Sequence, residues 1–424
     1  MKPKPSPQQL TRWHFVVSLF FESIKYAHQA ALYAVMGAAA YGTIGIAFSL
    51  AYLSANIAGM EGGIALVPKT LLIATAPSRW RYLIRRFLLP QLMLHGASAC
   101  IVATVCIALT SNYAIALATG LLALIEGLRI NTRPLVYCLE QSTFSARVES
   151  SITFCYIGLI WILQLHNKAL CTPTAILYLY VLTTSCGLIY LVSTGTRYVK
   201  SITPKATDEE LPTGIYQLRT QSTLMLLHLP QHLFSANFIV PFFARLAGAQ
   251  TAGYLKISGE LANGLRSIIK STVGFPLNAM LTEKRTHTAA EKWRVFDLIH
   301  RQAIIAISCL AGIGCLCLAA LALPIPALIT TTLIGFCLLT VGDYLCLPYE
   351  LVSIHVHAVG PAAQIRAAEV GAGICTIVFA AQTPLVTISI LGLNRLLCWQ
   401  LLKRCVRPPL LFKDADASGG QKTP

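Results

Sequence analysis

The sequence predicts an all-α integral membrane protein of about twelve transmembrane helices in two pseudo-symmetric six-helix bundles. Three observations predict it: the hydropathy of the chain, the alternation of apolar runs with basic connections, and landmarks that recur in its two halves. Of 424 residues, 55% are apolar and 12% charged, and the mean hydropathy is +0.64. A soluble domain carries roughly 25% charged residues, and a globule of this length needs more polar surface than these side chains supply. The net charge of +16 is divided among short clusters separated by apolar runs. That pattern belongs to loops at an anionic membrane surface and excludes nucleic acid as a partner.

Taken in order, the apolar runs place six spans at roughly 13–38, 43–74, 83–110, 113–139, 149–166 and 173–197. Six more follow at roughly 216–244, 250–280, 296–323, 326–349, 358–382 and 384–404. Each is long enough to cross about 30 Å of hydrocarbon at 1.5 Å per residue. The first contains Glu22, Lys25 and His28 with no small-residue cleavage motif after it, so it reads as a retained helix and not as a signal peptide. Basic residues gather in every second connection: Arg79, Arg81, Arg85 and Arg86, then Arg147, then Arg197, Lys200 and Lys205, then Lys284, Arg285, Lys292 and Arg294. Both tails are basic as well, while only Lys168 and Arg245 interrupt the opposite side. By the positive-inside rule the basic side and both termini are cytoplasmic, and the expected location is a bacterial inner membrane.

The repeat is seen in short matches. Tyr41-Gly42 follows the first span and Gly253-Tyr254 the seventh; Pro68 ends the second and Pro276 the eighth; Trp80-Arg81 opens the third and Trp293-Arg294 the ninth. Their common order gives an N-terminal lobe over 1–199, a cytoplasmic linker over 200–214, a C-terminal lobe over 215–406 and a cytoplasmic tail over 407–424, the parallel-repeat plan of many transporters. The fourteen cysteines fall mostly inside apolar runs, where they act as small packing residues. No metal site, disulfide framework or cofactor is expected.

Polar residues inside spans are costly and therefore informative. The eighth span aligns Lys256, Glu260, Asn263, Ser267 and Lys270 on one stripe, with Arg266 on its flank. The first aligns Glu22, Lys25, Tyr26, Gln29 and Tyr33; the seventh His228, Gln231, His232 and Ser235, with Arg245 near its end; the second Tyr52 and Asn56. Two readings stay open. The stripes line a polar cavity of cationic bias, or Glu22 with Lys25 and Lys256 with Glu260 neutralise each other at salt-bridge spacing. Arg129, Arg133 and Glu140 read as snorkelling, and Lys270, Asp343, Glu350 and Arg366 as interfacial.

The segment YGTIGIAFSLAYLSANIAGMEGGIALVP from Tyr41 resembles the second helix of bacterial polysaccharide flippases of the multidrug/oligosaccharidyl-lipid/polysaccharide (MOP) exporter superfamily. AGAQTAGYLKISGELANGLRSIIKSTVGFP from Ala247 resembles their eighth. The resemblance covers roughly 13–405 and implies a MATE/MOP-like fold, with a lipid-linked oligosaccharide on undecaprenyl diphosphate moved by alternating access. Lys25, Arg245, Lys256, Arg266 and Lys270 are then the candidates for the diphosphate. Gln29, Asn56, Gln231 and Asn263 are those for sugar hydroxyls, and Glu22, His228 and Glu260 those for a coupling proton. Membrane lipids, a polysaccharide polymerase and glycosyltransferases are the implied partners. The alternative is a multidrug or toxin extrusion antiporter of the same superfamily, which would need unpaired carboxylates to hold organic cations. A membrane-embedded transferase is not expected, because the external connections are short.

Overall fold

The computed structural model describes residues 7–59, 89–138, 142–167, 171–201, 225–269, 327–355, 359–380 and 383–405. The helices are α1 (Pro7–Gly59), α2 (Leu89–Thr110), α3 (Tyr113–Cys138), α4 (Ser142–His166), α5 (Pro173–Ser201), α6 (225–233), α7 (Ala236–Ile269), α8 (Ala327–His355), α9 (Val359–Ala380) and α10 (Pro384–Cys405). Every expected span except the ninth coincides, wholly or in part, with one of them; the ninth lies outside the described residues, as do most of the linker and the tail. Six segments among the described residues are long and apolar enough to cross a bilayer. The chain is a multi-pass membrane protein, all-helical among the described residues.

Two helices each carry two spans. α1 bends at Gly37 (φ 78°, ψ 165°) and α7 at Gly248 (φ 83°, ψ 175°). This region of backbone space is essentially closed to any residue with a Cβ, so glycine is the residue that lets one span run into the next without a loop. Elsewhere the connections are capped. Asn112 Oδ1 accepts the Ile115 N–H at 3.1 Å, and Thr172 Oγ1 accepts the Ala175 N–H at 3.2 Å. Each side chain thereby satisfies one of the orphan donors at a helix start, where the bilayer leaves little water to do so.

Packing divides the chain into two compact units. One comprises Met1–Tyr33, Leu226–Ala236 and Tyr254–Pro424; the other comprises Ala34–Met225 and Asn237–Gly253. In the second unit α3 is central, packing on α2, α4 and α5. α2 buries a single stripe of Gln91, His95, Ala99, Val102 and Cys106, spaced three and four apart as one helix face requires, and turns Met93 and Ile101 outward. Gly127 on α3 leaves room for the His95 ring, which a Cβ there would overlap. In the first unit α8, α9 and α10 pack together, and glycines bring the backbones close. Gly335 faces Ile388, Gly392 faces Leu338, and Gly342 faces the stem of Arg395.

The polarity is inside out. Leu165 and Phe379 are 86% and 87% exposed, while Arg366 and Arg395 are 0% and 1%. Hydrocarbon accepts the first pair readily, and only a protein interior can accept the second. Lipid-side hydroxyls are met by their own helix: Thr104 donates to the Cys100 carbonyl and Thr376 to the Ala372 carbonyl, both at 2.9 Å.

A Val at Gly127 should overpack the α2–α3 contact and cost about 1–3 kcal/mol. A Val at Gly158, whose Cβ would meet nothing within 4 Å, should be neutral. Thermal midpoints of the two variants in detergent, read by fluorescence-detected gel filtration, check the contrast.

Candidate functional site

Five charged residues of α8, α9 and α10 form one continuous chain in the interior of the first unit. Gln231 on α6 donates from Nε2 to Glu350 Oε2 at 2.9 Å. The other oxygen of Glu350 pairs with Arg366, whose second amino group pairs with Glu369 Oε2. Glu369 Oε1 meets Nε of Arg395, and Nη1 of Arg395 ends the chain on Asp343. Acid and base alternate at every step. Glu350 and Asp343 are two turns apart on α8, about 10 Å along its axis, so the chain leaves α8 and returns to it. Every charged member but Asp343, which is 12% exposed, is fully or almost fully buried. A single ion taken from water into such surroundings costs several kcal/mol, and only alternation with opposite charge offsets that.

Three carboxylates stand against two guanidinium groups, so the fully ionised cluster carries one surplus negative charge. Asp343, at the end of the chain, also lines a small cavity of about 20 Å³ together with Asn263, Ser235 and Thr340, room for about one water.

The second unit has its own buried acid. Glu126 on α3 is fully buried and binds Arg129 one turn on, with Arg129 Nε donating to Oε2 at 2.8 Å. Tyr180 on α5 donates to Glu126 Oε1 at 3.2 Å, and its hydroxyl pairs with that of Tyr52 on α1 at 2.6 Å. Phe48 and Tyr156 stand edge-on to the Tyr180 ring, each 4.8 Å away, which fixes the phenol over the carboxylate.

These clusters correct part of the sequence reading. Asp343, Glu350 and Arg366, read as interfacial, are interior residues that pair with one another and with Glu369 and Arg395. Arg129, read as snorkelling, is the partner of Glu126. The i,i+3 pairs Glu126–Arg129 and Arg366–Glu369 were visible as spacing; Arg395 with Asp343 was not, because its partners lie on different helices.

Among the candidates, Lys25, Gln29, His228, Gln231, Lys256, Glu260 and Asn263 fall in the first unit, and Asn56 and Arg245 in the second. Lys256 pairs with Glu260 at 2.5 Å, one turn apart as the sequence spacing allows. Gln231 serves the ionic chain, and Asn56 Nδ2 donates to the Tyr52 carbonyl of its own helix at 2.8 Å. Arg245 is exposed, and Lys25, Gln29 and His228 are partly buried. The side chains of Glu22 and Arg266, and all of Lys270, lie outside the described residues. All five carboxylates whose side chains are described — Glu126, Glu260, Asp343, Glu350 and Glu369 — are paired with Lys or Arg.

No family model matches the chain, and no curated protein sequence matches it. Solved structures do. An inward-facing multidrug resistance MATE family transporter of the MOP superfamily is similar at TM-score 0.58 and 9% identity, covering 96% of this chain and 100% of that one. The eukaryotic MATE transporter AtDTX14 is similar at 0.53 and 13%, covering 96% and 95%. A MATE protein in a bent conformation is similar at 0.52 and 12%, covering 97% and 98%. The fold is therefore MATE-like, the likeness covering 96–97% of the chain.

Glu369→Gln leaves two buried guanidinium groups short of charge and should cost roughly 3–5 kcal/mol. Lys256→Gln, beside the part-exposed Glu260, should cost well under half of that. Thermal melting of both purified variants against the parent protein checks the order.

Proposed function

We propose that the chain is a flippase that carries an oligosaccharide on undecaprenyl diphosphate across the cytoplasmic membrane by alternating access. The MATE-like fold supports the transporter part of this reading. The observation that carries the cargo is the pairing of every described carboxylate. A binder of organic cations needs an acid left free to face them, and here the five described acids are engaged by Lys or Arg. Cations are less fully spent: Arg245 is exposed, and no carboxylate among the described residues pairs with it. The stripe that begins at Lys256 continues in sequence to Arg266 and Lys270. Guanidinium and ammonium groups are the natural partners of a diphosphate, and the resemblance of the second and eighth spans to polysaccharide flippases agrees with that cargo.

In this reading the headgroup enters between the polar faces of the spans while the polyprenyl tail stays in hydrocarbon, and an internal rearrangement exposes it on the other side. Asn263 and Gln29 offer amides to sugar hydroxyls. Glu22, His228 and Glu260 remain the candidates for a coupling proton. A polymerase and glycosyltransferases are the proposed partners, acting after and before the transfer.

A second reading, extrusion of organic cations, is favoured by two observations. The similar structures include a multidrug resistance transporter, and the ionic cluster holds one surplus negative charge with Asp343 on a cavity.

The two are separated in cells. In a strain lacking its own flippase and supplied with the cognate glycan genes, the chain should restore surface polysaccharide. The Lys256→Gln, Arg266→Gln double variant, inserted at parental levels, should lower it by at least about ten-fold, the loss expected from removing about 1.4 kcal/mol or more of anion binding. Full polysaccharide from the double variant removes the charge-binding role. Resistance to cationic drugs without any polysaccharide moves the assignment to extrusion.

A further inference from the structure

The bends in α1 and α7 are two halves of one device. The same chain spacing that separates Gly37 from Gly248 separates Ala38 from Ala249 and Gly42 from Gly253. The contacts repeat with it. A Cβ at Gly42 would run into the Ala249 carbonyl and come within 2.8 Å of the Gly253 nitrogen, and a Cβ at Gly253 would run into the Ala38 carbonyl. Each helix thus lays its glycine against the other's alanine carbonyl, one turn beyond its own bend. The relation is reciprocal, as a two-fold axis between the segments would make it. It also sets the register of the repeat: Gly42 matches Gly253, and the neighbouring tyrosines, Tyr41 and Tyr254, flank the glycines on opposite sides.

Both glycines at the bends hold a backbone conformation that only glycine adopts with ease, and nothing lies within 4 Å of where their Cβ atoms would be. Free space around a residue of unrestricted torsions is what a hinge needs. The glycines one turn on are in the opposite situation, in backbone contact with no side chain between. The chain passes between the two compact units four times, and two of these passages fall beside the bends, between Tyr33 and Ala34 in α1 and between Gly253 and Tyr254 in α7. Hinge, contact and crossover lie within a few residues of one another in both helices.

We propose that Gly42–Ala249 and Gly253–Ala38 form a paired latch that holds the bend ends of α1 and α7 together, and that it releases by rotation at Gly37 and Gly248. The inference rests on the transporter reading, in which this end of the molecule is the one opposite the basic connections. Backbone-to-backbone contact suits a latch. It has no side chains to re-pack, it opens and closes without desolvating charge, and being doubled it cannot release on one side alone. Closed, it brings the α1 and α7 backbones into contact at that end; open, it lets the two segments part.

Hydrogen–deuterium exchange on the purified full-length protein tests this. In the unaltered protein, peptides covering 34–46 and 245–257 should exchange together, because one opening serves both; protection differing by more than about ten-fold overturns the proposal. Gly42→Leu should deprotect both peptides by about ten-fold or more, although it alters only one, and Gly253→Leu should do the same. Deprotection confined to the substituted arm, or none, overturns it. Where a Leu variant fails to accumulate, Gly42→Ala and Gly253→Ala place the same Cβ against the same carbonyl and carry the same readout. Transport is read separately, as surface polysaccharide in the complemented strain. A chain that restores no polysaccharide defeats the flippase reading and leaves the exchange result to judge the latch.

Discussion

A buried charge must be answered by another, and the chain from Gln231 through Glu350, Arg366, Glu369 and Arg395 to Asp343 is how the first unit meets that requirement. α9 and α10 are each long and apolar enough to cross a bilayer and α8 holds a shorter apolar stretch, and apolar contact alone gives little reason for one such helix to prefer another in lipid. The alternating ions supply the reason. Each guanidinium spans two carboxylates, so sliding α9 or α10 by a turn would leave two or more charges unanswered. The glycines follow from this: Gly342 makes room for the Arg395 stem, and Gly335 and Gly392 keep the α8 and α10 backbones close enough for the charges to meet.

The second unit solves the same problem more lightly. A carboxylate on its fourth span, Glu126, is tied to the sixth span by Tyr180, as Asp343 on the tenth is tied to the twelfth by Arg395. The tie joins corresponding spans in the two halves and differs in chemistry. A phenol holds an acid that a neighbouring Arg129 has already neutralised, whereas a guanidinium both holds and neutralises. The repeat has therefore kept the place of the contact and exchanged the residues that make it. That explains why the halves show so little common sequence beyond their glycines and turn residues.

How far the sequence could be read depended on whether the determining force was local. Span positions were legible, since helices crossing hydrocarbon must satisfy every backbone group within themselves and so leave long apolar runs. The break between the first and second spans, and between the seventh and eighth, was legible as a gap between apolar runs, although the glycines at which the helices bend, Gly37 and Gly248, were not singled out. Lys256 with Glu260 was legible as a pair, being one turn apart on one helix. Arg395 was passed over and Asp343, Glu350 and Arg366 were placed at the membrane edge, because hydropathy records that a charge exists and not which helix will answer it.

The sequence by itself determined a membrane protein of many helices and the limits of most of them, since composition and period act within a span. Tertiary structure alone decided which polar residues are bound into the framework. It turned Gln231 to a carboxylate, set Arg395 between Glu369 and Asp343, and brought Gly42 and Gly253 onto the carbonyls of Ala249 and Ala38, each more than 200 residues away. Those outcomes depend on distances between helices, and in a bilayer such distances are set by packing and charge pairing, which a single span's sequence does not contain.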